Sequence, residues 1–350
     1  MKKHKKIILI NLFLIIFALI IIALKLGTTV NKNYNIDKID MLDNENLVLK
    51  NGSNIKLNIS FSDNFKVSIN RVYKWSSSDN DVCSVDDEGI IYTKEPGTAY
   101  IEAKHGNDTI KTKVTVYDTK NVLIIVGDSR MDHFKDDNGF TSTSDYEVKY
   151  TEKPSLLSDF ERIYVVSLSG MRYNWLAGED NYQDNNATLY VEDIIEEYED
   201  KTTDIYKYNI KILFNLGVND LNHKYLGDDS PAYISEKYID KLEEIMNNEW
   251  KSDIINNISL NMVTLLPVED EQVSCYFTGR YNSDVIEFNE FTKKEYDGVV
   301  CDAYNDLDID ENSFRERTDK ECANRDGLHF SKEFNKEVLY PYLVNVCAKK

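Results

Sequence analysis

At 350 residues the chain exceeds one typical domain and suits two or three. Its 61 Asp and Glu against 41 Lys and Arg give a formal net charge of -20. That excludes nucleic acid as a partner, since phosphates need a basic surface, and it disfavours docking of the folded part on an anionic bilayer. Cys83, Cys275, Cys301, Cys322 and Cys347 are odd in number and widely spread. No C-x-x-C or Cys/His spacing marks a metal site, so neither metal nor cofactor is expected.

Lys2, Lys3, Lys5 and Lys6 precede an apolar run from Ile7 to Leu24 that only Asn11 interrupts. At about 1.5 Å per residue such a helix nearly spans a hydrocarbon core. The lysines stay in the cytoplasm by the positive-inside rule, which places everything after Leu26 outside. The run is long for a signal peptide and no small-x-small cleavage site follows it, so residues 1–26 read as an uncleaved, single-pass membrane anchor. Residues 27–45 are polar and read as a stalk.

Residues 46–118 show short segments of period-two alternation separated by turn signals, as in Ile55-Lys56-Leu57-Asn58-Ile59 and Ile110 to Val116. This pattern predicts half-buried strands and a small β-sandwich. Trp75-Ser76-Ser77-Ser78-Asp79, Val82-Cys83-Ser84-Val85, Gly89-Ile90-Ile91 and Gly97-Thr98-Ala99-Tyr100-Ile101 resemble the bacterial Ig-like domain, group 2. In that reading Trp75 is a core residue.

From residue 120 the pattern changes. Val122 to Val126, Ile163 to Val166, Ile212 to Phe214, Leu260 to Leu266 and Val299-Val300 are continuous apolar runs, as for strands buried on both faces. Helical patterns lie between them. The clearest begins at Ser230-Pro231 and carries Ile234, Tyr238, Leu242 and Ile245 on one face. Alternating strands and helices predict a parallel sheet covered on both sides, one α/β/α domain over residues 120–350.

Ligands of such sheets sit beyond the carboxyl ends of the strands. The successive strands are followed by Gly127-Asp128-Ser129-Arg130, by Ser167-Leu168-Ser169-Gly170 and by Gly217-Val218-Asn219-Asp220. Asp326-Gly327-Leu328-His329 precedes the last helix, on a predicted loop. These four blocks, in this order, resemble the SGNH (GDSL-like) hydrolase family, whose domain is a flavodoxin-like α/β/α layer. Asn282-Ser283-Asp284 and Glu287-Phe288-Asn289 look like a Gram-positive surface subgroup of it.

The resemblance implies Ser129 as nucleophile, His329 as its base and Asp326 as the group that orients the base. It implies an oxyanion hole from the backbone N–H of Ser129, the backbone N–H of Gly170 and the side-chain amide of Asn219. Among five histidines, His4 and His105 lie outside this domain, and His133 and His223 read as surface or supporting residues. Asp128 and Asp220 read as structural. Arg130, Tyr173 and Trp175 are candidate substrate contacts: Arg130 either binds an anionic group or holds its loop, and the aromatics either face the site or fill the core.

The function implied is an extracytoplasmic serine esterase that removes acyl groups from an acylated carbohydrate or other small ester. Its rivals are an acyltransferase with the same triad and a surface protein that only binds. Cys301 and Cys322 either bridge across the loop bearing Asp326 and His329 or remain free thiols.

Overall fold

The computed structural model describes residues 37–41, 46–59, 73–142, 151–154, 159–270, 279–317 and 325–350. The expected membrane anchor lies outside these residues. Among the described residues, no helix is long and apolar enough to cross a membrane. The chain divides into two compact units, the second comprising Thr115–Lys350 with the short segments Val48–Asn51 and Glu95–Thr98.

The first unit is all-β. β1 (Asp37–Met41) lies within the segment expected as a stalk and pairs in parallel with β3 (Asn54–Ile59). With β5 (Cys83–Val85) and β6 (Ile90–Thr93) they form a sheet of order β1-β3-β6-β5. β4 (Lys74–Ser77) pairs antiparallel with β7 (Gly97–His105). Alternation along β7 buries Ala99, Ile101 and Ala103 and exposes Tyr100, as a pleat with one wet face requires. Trp75 is half-buried, and its ring packs so closely on Gly89 that a Cβ there would lie 2.6 Å from it. β2 (Asn46–Lys50) pairs with β8 (Asp108–Gly127).

In the second unit, β8 lies between β11 (Arg162–Ser167) and β12 (Tyr206–Asn215), followed by β13 (Asn257–Val263) and β14 (Val299–Cys301). All four pairings are parallel. Numbered by sequence, the five strands run 2-1-3-4-5, the flavodoxin-like order. The sheet is not wholly parallel, however. β9 (Thr141–Ser142) and β10 (Thr151–Pro154) extend it beyond β11 as an antiparallel edge. Their sequence has no continuous apolar run, because an edge needs no double-sided burial.

Successive residues of β8 serve opposite faces. Val122, Ile124 and Val126 join a core with Tyr190, Val191 and Ile194 of one helix and Tyr238 and Leu242 of another. Leu123 and Ile125 join a second core with Met131, Phe134, Leu343 and Val344. Each such aliphatic side chain contributes about 1.5–3 kcal/mol on burial. The sheet is thereby sandwiched between α1 (Ser129–Asp137) with the C-terminal helix on one side, and α3 (Ala187–Lys201), α5 (Pro231–Asn248) and α6 (Asn282–Glu295) on the other. The short α2 (Tyr173–Ala177) and α4 (His223–Leu226) follow β11 and β12. At α5, the Ser230 hydroxyl accepts the Tyr233 N–H, and Pro231 opens the helix.

Cys301 is bonded to Cys347, with α-carbons 5.5 Å apart, so it is neither bridged to Cys322 nor a free thiol, the two alternatives that the sequence left open. Cys322 itself lies outside the described residues. Cys347 sits in the terminal turn (Cys347–Lys349) packed against the sheet, where its carbonyl accepts the amide of Asn261 on β13. That contact brings it to the end of β14.

Candidate active site

Three strand ends stand in register: Ser167 of β11 opposite Gly127 of β8, and Gly127 opposite Asn215 of β12. The segments after them therefore converge at the point where strand order reverses, the usual ligand crevice of such sheets. Asp128 caps α1 by accepting the Arg130 N–H, which puts Ser129 at the first position of the helix. Burial raises the Asp128 carboxyl above the ordinary carboxylate range, against the opposing charge of Arg130.

Asp326 and His329 lie on a short strand rather than a loop. β16 (Arg325–Phe330) pairs antiparallel with β15 (Phe314–Glu316). Gly327 at φ +67° turns the chain between them, so that Asp326 Oδ1 accepts both the Leu328 and His329 N–H groups. Asp326 Oδ2 lies 3.1 Å from His329 Nδ1, and His329 Nε2 lies 2.9 Å from Ser129 Oγ. Burial pushes the Asp326 carboxyl upward. The side-chain hydrogen bond from His329, its charge and the two backbone donors outweigh this and hold it below the usual range. The array is thus a buried anion, an imidazole fixed with one nitrogen on that anion, and a hydroxyl on the other nitrogen. Chemically, such an array can accept the proton of a serine hydroxyl whose oxygen attacks a carbonyl.

Gly170 is exposed at φ +80°, and a Cβ there would meet nothing within 4 Å. Backbone conformation, not space, favours glycine here. Asn219 is buried. Its Nδ2 donates to the Met171 carbonyl and its Oδ1 accepts from Arg280 Nη2 at 2.8 Å. An amide nitrogen carries two hydrogens; Met171 takes one, and the rigidly held group has a second. Asp220 accepts the Tyr173 N–H and the Tyr238 hydroxyl, and burial raises its carboxyl to about 6.

Two of the expected substrate contacts have other roles. Trp175 is fully buried in the core beside Tyr190, because α2 turns it away from the crevice mouth into the α3 side. Arg130 is 1 % exposed. Nε donates to Leu328 O, Nη1 to Leu266 O and Nη2 to Pro267 O, leaving no face for a ligand. Tyr173 remains half-buried beside the site.

His133 is half-buried with its ring centroid 4.6 Å from that of His329, edge to face. Burial, then the neighbouring His329 and Arg315, push it down to about 4. His223 is exposed and pairs with Asp284 at 2.9 Å. Asn282 and Asn289 bind backbone: Asn282 accepts the Val268 N–H, and Asn289 takes both the N–H and the carbonyl of Leu265. They steady the segment whose carbonyls hold Arg130.

Sequence reasoning passed over two supporting residues. Asp132 accepts the hydroxyls of Ser167 and Ser169, and its position three after Ser129 was an available signal. Arg280 had none, being a single arginine in a loop. Among the described residues no cluster of three His, Cys, Asp or Glu is arranged to hold a metal ion.

A serine hydroxyl set on an imidazole at the carboxyl edge of a flavodoxin-like sheet defines a serine hydrolase acting on esters. The family model described as GDSL-like Lipase/Acylhydrolase matches residues 123–340, and the chain belongs to that family. No curated protein matches the chain by sequence. Among solved structures it is similar to a lipase/acylhydrolase from Enterococcus faecalis (15% identity, 65% of this chain and 94% of that one, TM-score 0.35). It is also similar to the native aryl esterase of M. smegmatis (17%, 66% and 99%, TM-score 0.39). A third is a carbohydrate acetylesterase family member from Sinorhizobium meliloti (17%, 65% and 100%, TM-score 0.37).

Proposed function

We propose that the protein is an extracytoplasmic O-acyl esterase, working through Ser129, His329 and Asp326 on an acylated carbohydrate. The observation that carries this is the hydrogen-bonded chain from Ser129 Oγ through His329 to Asp326. Ser129 Oγ attacks the ester carbonyl and its proton passes to His329 Nε2. The backbone N–H groups of Ser129 and Gly170 and the second amide hydrogen of Asn219 receive the oxyanion. Collapse breaks the bond to the sugar oxygen, which takes the proton from His329 and leaves as a hydroxyl. Water, deprotonated by the same imidazole, then releases the acid and restores Ser129.

Placement outside the membrane rests on the lysine-flanked apolar segment before Leu26. The buried Cys301–Cys347 bridge supports it, since disulfides persist in oxidising surroundings. The all-β unit, with Trp75 against Gly89, is consistent with an Ig-like module of group 2 acting as a spacer between anchor and enzyme.

Ser129→Ala is expected to lower hydrolysis of a chromogenic acetate by on the order of a million-fold, with folding intact, and to abolish labelling by a fluorophosphonate. Retained turnover in the purified variant overturns the nucleophile assignment. Adding carbohydrate acceptors to the wild-type assay separates water from a sugar hydroxyl as the second acceptor.

A further inference from the structure

Arg172 is pinned on both sides by the oxyanion block. The carbonyl before it, on Met171, accepts the Asn219 amide, and the N–H after it, on Tyr173, donates to Asp220. From there the Arg172 guanidinium lies over the Tyr225 ring, 4.0 Å from its centroid. Tyr225 is 46% exposed and follows Asn219 by only six residues. Lys224 approaches the same ring, with Nζ 5.2 Å from the centroid. Lys237 of α5 stands over the Tyr173 ring at 4.3 Å. Two cations thus stand by the Tyr225 ring, and a third stands over Tyr173, the residue that follows Arg172.

This grouping runs against the composition. The chain carries a net charge of -20, yet none of the three cations has a carboxylate within ion-pair distance among the described residues. The nearest acid is the buried Asp220, which accepts from Tyr173 and Tyr238 and whose carboxylate the charges of Arg172 and Lys237 favour, and Glu244 pairs with Lys241. Burial, then the charges of Glu179, Glu244 and Asp240, raise the Tyr173 hydroxyl above its ordinary value. Two cations held near one ring repel each other, and an anion bound beside them relieves that repulsion. Arginine on an aromatic face presents its fork edge-on, the geometry that grips a carboxylate or phosphate with two donors. The tyrosine rings add apolar faces on which a sugar stacks.

We propose that Arg172, Lys224 and Lys237, with Tyr225 and Tyr173, form a subsite for an anionic group, a carboxylate or a phosphate, on the carbohydrate that carries the ester. This rests on the esterase reading above for the identity of the neighbouring site. The subsite would select acidic glycans over neutral ones in a protein whose overall field repels them, and the selection weakens with salt.

The test compares kcat/KM on an acetylated uronate oligosaccharide, an acetylated phosphodiester-linked glycan and an acetylated neutral xylo-oligosaccharide, each at low and high salt. The wild type is expected to favour at least one anionic substrate by about tenfold or more at low salt. Preference for the uronate or for the phosphodiester identifies which anion is read. Arg172→Gln/Lys224→Gln should bring the ratio of anionic to neutral kcat/KM close to one. An unchanged ratio in that variant, or equal wild-type rates on all three substrates, overturns the subsite. Calorimetric binding of the deacetylated uronate and phosphodiester glycans to Ser129→Ala, with and without the double substitution, reads the subsite without catalysis. Binding that depends on Arg172 and Lys224, in a protein that hydrolyses no ester, would sink the esterase reading and leave the anion subsite standing. Absence of binding by both glycans sinks the subsite whatever the esterase assays show.

Discussion

Arg130, the residue after Ser129, donates its Nε–H to the carbonyl of Leu328, the residue before His329, at 3.1 Å. One side chain therefore couples the backbone that carries the proposed nucleophile to the backbone that carries its base. The other two arms of the fork reach Leu266 and Pro267, at the carboxyl end of the sheet. Burial lowers the guanidinium to about 10, still charged at neutral pH. Its ring contact with Phe330, 5.4 Å to the centroid, closes the remaining side.

Arg130→Met is expected to destabilise the protein by at least about 3 kcal/mol, since it leaves three carbonyls without their donor. It should also lower kcat more than it changes KM, because the gap between Ser129 and His329 loses its brace. Arg130→Lys keeps the charge without the fork and should fall between. Denaturant unfolding and steady-state kinetics check both. A variant with wild-type stability and turnover would remove Arg130 from this role.

Arg280 bears on the proposed site at one remove, through the oxygen of Asn219. Asn219→Ala should cost about 100-fold in turnover if its amide is an oxyanion donor. Arg280→Met should cost less, about tenfold, and mainly in kcat, because the amide remains but is no longer held in one orientation. Adding Arg280→Met to Asn219→Ala should then cost little more, the non-additivity expected of residues acting through one group. Fully additive losses would assign Arg280 a separate, structural effect.

The four blocks were legible because each is local. Gly127 to Arg130, Ser167 to Gly170, Gly217 to Asp220 and Asp326 to His329 follow apolar strands or precede a helix, and strand period and chain order place them on one edge. The position of Trp175 was not legible: its neighbours Met171 to Asn174 are only half-buried, and only the tertiary packing of α2 on Tyr190 shows that it points inward. Arg130 could not be assigned either, since its acceptors lie 136 and 198 residues away and are backbone atoms without a sequence signature. The antiparallel edge of β9 and β10 was missed because edge strands carry no double-sided apolar run.

Asp220 predicts a pH dependence of stability. Its carboxyl stands at about 6 in the folded protein, raised by burial from an ordinary 3.8 and opposed by the Tyr238 and Tyr173 hydrogen bonds. A folded state that holds a proton more tightly than the unfolded chain is favoured while that proton is bound. The contribution is therefore fully present below about pH 4 and is lost as the pH rises through about 6. Asp220→Asn keeps an acceptor for the Tyr173 N–H and removes the titration. Relative to that variant, the wild type should lose on the order of 2–3 kcal/mol between pH 4 and pH 7. Urea unfolding at a series of pH values checks this, and parallel curves for the two proteins would refute it.

The bridge between Cys301 and Cys347 closes a loop with a sequence separation of 46, and that loop contains Asp326 and His329. One end is the last strand of the sheet and the other is the terminal turn, so the two residues proposed to activate Ser129 lie on a segment tied down at both ends. Loop closure of this length contributes about 4 kcal/mol by restricting the unfolded chain. Both cysteines are fully buried, so a reductant should act only after local opening. Reduction is therefore expected to need mild denaturant or heat, and then to lower the unfolding midpoint substantially. Cys301→Ser/Cys347→Ser should fold and turn over ester at low temperature, where the hydrophobic contacts of Leu339, Leu343 and Val344 still seat the C-terminal helix. It should lose activity at a lower temperature than the wild type, in step with unfolding of the segment that carries His329. Matched melting curves with and without reductant, together with residual esterase activity after heating, provide the measurement. Identical midpoints for the double variant and the oxidised wild type would show that the bridge does not hold this segment in place.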